Sequence, residues 1–143
     1  MTLWPVQRAI YDRLTAHAAM QGVTVIDTGD AKLPHVRIGI TVSGSERSSQ
    51  TTRGSDDVEQ IDVHADRTDE VKQIAADIDE ALTDPALPYL SADGVQLMDY
   101  PRRQNVTVRR EEDPESGRIN RHAVLEYLCR TPSQKDHTPL ALS

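Results

Sequence analysis

The chain has 143 residues, a formal net charge of −7 and 37% hydrophobic residues, with no Phe and a single cysteine, Cys129. That length suits one domain with a real core. The acidic excess excludes a protein that grips DNA by neutralising phosphates, and one cysteine excludes an internal disulfide or a multi-cysteine zinc site. The core is therefore expected from Ile, Val, Leu and Ala, with Trp4 and the tyrosines at its margins. No segment reaches transmembrane length and the N-terminal residues lack a signal-peptide pattern, so a soluble protein made in a reducing cytoplasm is expected, with no membrane contact.

Taken in order, the first predicted element is a helix from near Thr2, with Pro5 in its first turn, where the missing N–H costs nothing. Val6, Ala9, Ile10 and Leu14 form its apolar stripe, which His17 extends. Residues 23–26 (VTVI) form a short extended run, stopped by the loop composition of residues 27–30. In residues 36–42, Val36, Ile38, Ile40 and Val42 alternate with Arg37, Gly39 and Thr41, as in a strand of an antiparallel sheet with one covered face. Residues 43–57 (SGSERSSQTTRGSDD) carry no apolar side chain and read as a long mobile hairpin tip.

Residues 58–82 hold the pattern around which the rest is arranged. Ile61, Val63 and Ala65 alternate with Gln60, Asp62 and His64, and then Val71, Ile74, Ala75, Ile78 and Leu82 recur at helical spacing. A strand passing straight into an amphipathic helix folds that helix over its own apolar side. Asp69 and Glu70 suit the first turn of the helix and Asp84-Pro85 ends it. A turn at Ala92-Asp93-Gly94 precedes residues 95–100 and 105–110, read as one bent strand interrupted at Pro101. Residues 111–117 (EEDPESG) form a second polar tip, and residues 118–130 return as a strand with Ile119, Ala123, Leu125 and Tyr127 on one face. The order α-β-β-β-α-β-β predicts an α+β domain over residues 1–130, an antiparallel sheet with two helices packed on one face. Residues 131–143 read as an exposed tail.

Chemistry-bearing residues are few. Asp62, His64 and Asp66 alternate along a strand and thus share a side, which is the geometry of a metal site in a small metal-dependent hydrolase. The competing reading, which we favour, is the wet face of a half-buried strand. Ser43, Ser45, Ser48, Ser49 and Ser55 lack the strained strand-to-helix turn of a nucleophile elbow. Cys129 and His122 fall on opposite strand faces, and Cys129 reads as a small buried hydrophobe. His17, His35, His122 and His137 are scattered. The glycines form neither a phosphate loop nor a dinucleotide fingerprint. No enzyme, cofactor or metal is expected. The polar tips are instead candidate assembly arms, ordered on meeting another subunit, and exposed sheet edges offer strand addition.

Residues 3–130 together resemble a known family in the order of four stretches: VQRAIYDRLTAHAAM, VTVIDTGDAKLPHVRIGI, IDVHADRTDEVKQIAADIDEAL and VQLMDYPRRQNVTVRREEDPESGRINRHAVLEYLCR. They are similar to the tail terminator or tail-completion proteins of long-tailed bacteriophages, prophages and gene transfer agents. Relatives often carry an aromatic and then a small residue at the strand-to-helix junction, where this chain has His64-Ala65. The resemblance implies a structural virion protein at the head–tail junction, built as a hexameric ring on the head-proximal end of the tail tube. Such a ring stops tube growth, meets the tube protein and a head-completion or stopper protein, and lets DNA pass through its lumen without specific contact. A sibling role as another head–tail connector or stopper component fits the same pattern. By position and polarity, the assembly residues are Glu46, Arg47, Gln50, Arg53 and Asp56 on the first tip, and Arg109, Arg110, Glu111, Glu112 and Arg118 on the second.

Overall fold

The computed structural model describes residues 5–26, 32–48, 53–112, 114–117 and 119–132. Along the chain run α1 (Pro5–Ala16), β1 (Thr24–Ile26), β2 (His35–Ser48), β3 (Arg53–Ala65), α2 (Thr68–Thr83), β4 (Ser91–Ala92), β5 (Val95–Gln96), β6 (Arg102–Glu112) and β7 (Ile119–Pro132). Five strands form the main sheet in the order β1-β2-β3-β7-β6, and β4 pairs with β5 in a separate two-stranded piece. This is the expected α+β class. The sheet is antiparallel except at one edge, where β1 runs parallel to β2 with Thr24 opposite His35. A three-residue strand carries no directional signal in its sequence, so its parallel pairing is a finding of the tertiary structure.

The strand-to-helix unit forms as its periodicity requires. Ile61, Val63 and Ala65 of β3 are fully buried, and so are Val71, Ile78 and Leu82 of α2. The helix therefore lies on the side of the strand that needs cover. From α1 the chain buries Val6, Ala9, Ile10 and Leu14 on the same side, while His17 is only half-buried just beyond the helix end. Arg13 ties the two helices together, donating from Nη1 to the Ala81 carbonyl (3.2 Å) and from Nη2 to the Pro88 carbonyl (2.6 Å). Gln7 Nε2 donates to the Gly39 carbonyl at 2.9 Å, anchoring α1 on β2. Gly39 fits closely there, since a Cβ would lie 3.1 Å from the Gln60 carbonyl oxygen on the paired strand and could be accommodated only if that strand gave way slightly.

Three expectations need correction. Residues 43–57 are not a long loop: β2 continues to Ser48 and β3 begins at Arg53, with Ser48 opposite Arg53 and Ser43 opposite Val58. The hairpin continues past the buried residues Val36, Ile38, Ile61 and Val63, so these positions extend the ladder beyond the stretch whose apolar alternation marks the core. Residues 95–110 do not form one bent strand. Instead β5 turns back on β4 through Asp93 (φ 53°) and Gly94 (φ 80°), the two left-handed central residues of a tight hairpin turn. The chain enters the main sheet only at Arg102, one residue beyond Pro101. Finally, Tyr127 is not marginal. It is the largest fully buried side chain, and its hydroxyl donates to Asp79 Oδ1 of α2 at 3.0 Å. Trp4 lies outside the described residues.

Cys129 is buried beside this cluster, where loss of solvent pushes its thiol well above the usual range. It behaves as the small hydrophobe expected of it. β7 runs on through Pro132, opposite Gly54, so its last residues Thr131 and Pro132 belong to the sheet and not to the predicted tail. The remainder, residues 133–143, lies outside the described residues.

Candidate assembly surface

The two polar hairpin tips sit at opposite ends of one sheet. β3 pairs with β7 from Gly54↔Pro132 to Ala65↔Arg121, so the β2–β3 turn lies at the C-terminal end of β7. β6 pairs with β7 from Arg102↔Leu128 to Glu112↔Ile119, so the β6–β7 turn lies at the N-terminal end of β7. With β7 14 residues long, these ends are roughly 45 Å apart. The expected assembly residues therefore form two groups and not one patch. Glu46, Arg47, Arg53 and Asp56 are register neighbours on the β2–β3 arm, as Glu46↔Ser55, Arg47↔Gly54, Ser48↔Arg53 and Ser45↔Asp56. Arg109, Arg110, Glu111 and Glu112 lie at the far end on exposed β6. Gln50 and Arg118 lie outside the described residues.

The arm is tied to the body across the β3–β7 ladder, where Arg130 Nε stands 3.6 Å from Asp56 Oδ1. Below it, the fully buried Glu59 sits opposite Tyr127. At the foot of β6, a cleft of about 420 Å³ is lined by Asp79, Thr83, Asp99, Tyr100, Pro101, Arg102 and Arg103. Its lining mixes both charge signs and is short of the apolar surface that small-molecule sites bury their ligands against.

β6 itself is a second notable surface. Residues opposed in an antiparallel ladder point to the same side of the sheet. Arg103, Val106, Val108 and Arg110 stand opposite Tyr127, Leu125, Ala123 and Arg121, so they share the helix side. The irregularity between Arg103 and Asn105 keeps Arg103 in phase with Val106. Neither helix covers this strand, and Val106 and Val108 are 38% and 43% exposed. α2 reaches toward β6 at Asp79, 4.0 Å from an Arg103 nitrogen.

On the opposite face, pairing assembles a cluster that linear spacing does not show. His35, His64 and His122 align across β2, β3 and β7. Their rings stack at centroid distances of 4.7 Å and 5.1 Å. Asp62, the other member of the tentative metal triad, is engaged by Arg37 (Nη2 to Oδ2, 3.5 Å) and Gln60 (Nε2 to Oδ1, 2.9 Å). Asp66 is an exposed residue past the strand end. Asp62, His64 and Asp66 thus do not converge, and among the described residues no group of His, Cys, Asp and Glu is arranged to hold a metal ion.

His64, at the centre of this row, is expected to make acid a destabilising condition. Burial lowers the pKa of His64, the neighbouring His35 and His122 lower it further, Arg37 acts the same way, and Asp62 opposes them. Facing groups on β6 are Arg109, opposite His122, and Glu111, 3.9 Å from His122 Nδ1. A folded-state pKa below the ordinary 6.5 means that the unfolded chain takes up its proton first as pH falls. Stability from this site is therefore flat above that value and declines as pH drops below it, down to the folded-state pKa. The H64Q variant is expected to lose less stability than the wild type between neutral pH and pH 5, measured as the difference between urea midpoints at the two pH values. An equal loss in both proteins would refute the assignment.

Comparison with known proteins accords with this architecture. A chain within the virion of a native gene transfer agent particle superposes with a TM-score of 0.72 at 23% identity, covering 90% of this chain and 96% of that one, which establishes the shared fold. A comparison with curated protein sequences yields no significant match. The family model described as "Tail completion protein gp17" matches residues 8–131. A match over that span takes in most of α1, all of α2 and the main sheet up to the penultimate residue of β7, and the chain belongs to the tail completion protein gp17 family.

Proposed function

We propose that this protein, a structural component of a phage-type virion tail, closes the head-proximal end of the tail tube as a ring of identical copies. Six copies is the number the family resemblance implies. The ring stops addition of tube protein at one face and presents the other to a head-completion or stopper protein, with DNA passing through its lumen. The observation that carries this reading is the placement of two polar hairpin ends at opposite ends of one rigid sheet. A joint between two different partners needs contact surfaces at two ends, and strands hold such surfaces at fixed separation where loops would not. The net charge of −7 suits a conduit along which DNA slides without sticking.

Removal of the gene from a producing strain tests the reading. Electron micrographs are expected to show headless tails of uncontrolled, mostly excessive length, with normal length restored by expression in trans. Tails of normal length that merely fail to join heads would overturn termination and favour a stopper or connector role.

A further inference from the structure

β6 presents a charged and apolar strip that neither helix covers, with Val106 and Val108 exposed among the described residues. On its helix side lie Arg103, Val106, Val108 and Arg110, an apolar pair flanked by two arginines. With one irregularity in the strand, Arg103 and Arg110 stand about 20 Å apart. Glu112 follows on the same side, and Arg121 stands opposite Arg110. The protein also carries a surface of the opposite sign. At 100° per residue, Asp69, Gln73, Asp77 and Glu80 of α2 fall within about 80° of one another, on the side of the helix away from its buried residues. Asp69 to Glu80 spans about 17 Å along the axis, close to the length of the β6 strip. Asp79, the α2 carboxylate beside Arg103, lies off this stripe, so the helix does not present its acidic row to its own β6.

We infer that the helix side of β6 docks the acidic stripe of α2 from a second copy of the chain. The neighbour's α2 would extend the helical layer beyond α2 of the first copy and cover Val106 and Val108, while Arg103 and Arg110 meet the carboxylates. Because β6 and the α2 stripe are different surfaces, the contact is heterologous, the type that generates rings when its rotation closes. The inference rests on the ring reading above and specifies which surfaces would build the ring.

Reversal and exchange of charge on the full chain provide the test, read by size-exclusion chromatography with light scattering over a range of concentrations and salt. The variants R103E/R110E and D77K/E80K are each expected to raise the concentration needed for assembly by at least about tenfold, since like charges then face one another. The four changes combined in one chain are expected to restore it. Should R103E/R110E fold poorly, as judged by its thermal melt, V106S/V108S replaces it and is expected to weaken assembly with little change in the monomer. Assembly unchanged in either folded single-surface variant, or no recovery on combination, would overturn the interface while leaving the ring reading standing. A wild-type chain that stays monomeric at every concentration would overturn both.

Discussion

Replacing Tyr127 by alanine is expected to cost about 3–5 kcal/mol of folding stability, the largest effect of any single truncation in this protein. Tyr127 is fully buried on β7, in a chain that contains no Phe, and its hydroxyl reaches α2. Its removal leaves a cavity between a strand and a helix, beside the buried Glu59, that a close-packed interior cannot fully close. It also removes the hydrogen bond from its hydroxyl to Asp79. Against a total of about 5–15 kcal/mol for a typical domain, such a loss is a large fraction. The Y127F variant separates the two contributions. It retains the packing and gives up one hydrogen bond, for about 1 kcal/mol. Loss of solvent and the adjacent Asp79 carboxylate keep the phenol far from ionising, so neither effect should vary with pH across the neutral range. Urea denaturation of the three proteins checks the order. A Y127A midpoint close to that of Y127F would show that the cavity model of this core is wrong.

Truncating the β2–β3 arm is expected to have the opposite profile, a small effect on folding and a severe one on assembly. Ser43 and Val58 are directly opposed, so a two-residue Asn-Gly turn can join them and remove residues 44–57. The buried residues Val36, Ile38, Ile61 and Val63 all lie below that cut. The cost in the body is the short ladder from Gly54 to Asp57 with β7, including the Arg130–Asp56 pair. The shortened chain is therefore expected to melt cooperatively. In trans complementation it is expected to yield ~100-fold fewer infectious or transducing particles than the full chain, because in the proposed ring a repeated contact would be lost from every copy at once. Wild-type particle yield from a folded, arm-less protein would remove the arm from the assembly surface.

Much of the body was legible in the amino-acid order. The alternation of Ile61, Val63 and Ala65, followed by Val71, Ile74, Ala75, Ile78 and Leu82 at helical spacing, determines a strand and the helix that covers it, since each pattern is a consequence of local geometry. The α1 stripe, the end of α2 at Asp84 and the buried Cys129 follow from equally local causes. A polar arm was harder to read. Residues 43–57 lack apolar alternation whether they form a loop or a strand wet on both faces, and composition does not distinguish the two.

Three features were decided only by tertiary structure, because each depends on which strands become neighbours. Antiparallel pairing of β3 with both β2 and β7 brings His35, His64 and His122 into one stacked row from positions far apart in the chain. Placement of β6 at the sheet edge, where α2 approaches only at Arg103, leaves Val106 and Val108 exposed. The direction in which each hairpin returns sends the two polar ends to opposite ends of β7. The sequence by itself thus determined a two-layer α+β body and its family. Strand order and register, which arise from long-range pairing and leave no periodic trace, decided where its polar hairpin ends and its exposed edge strand lie.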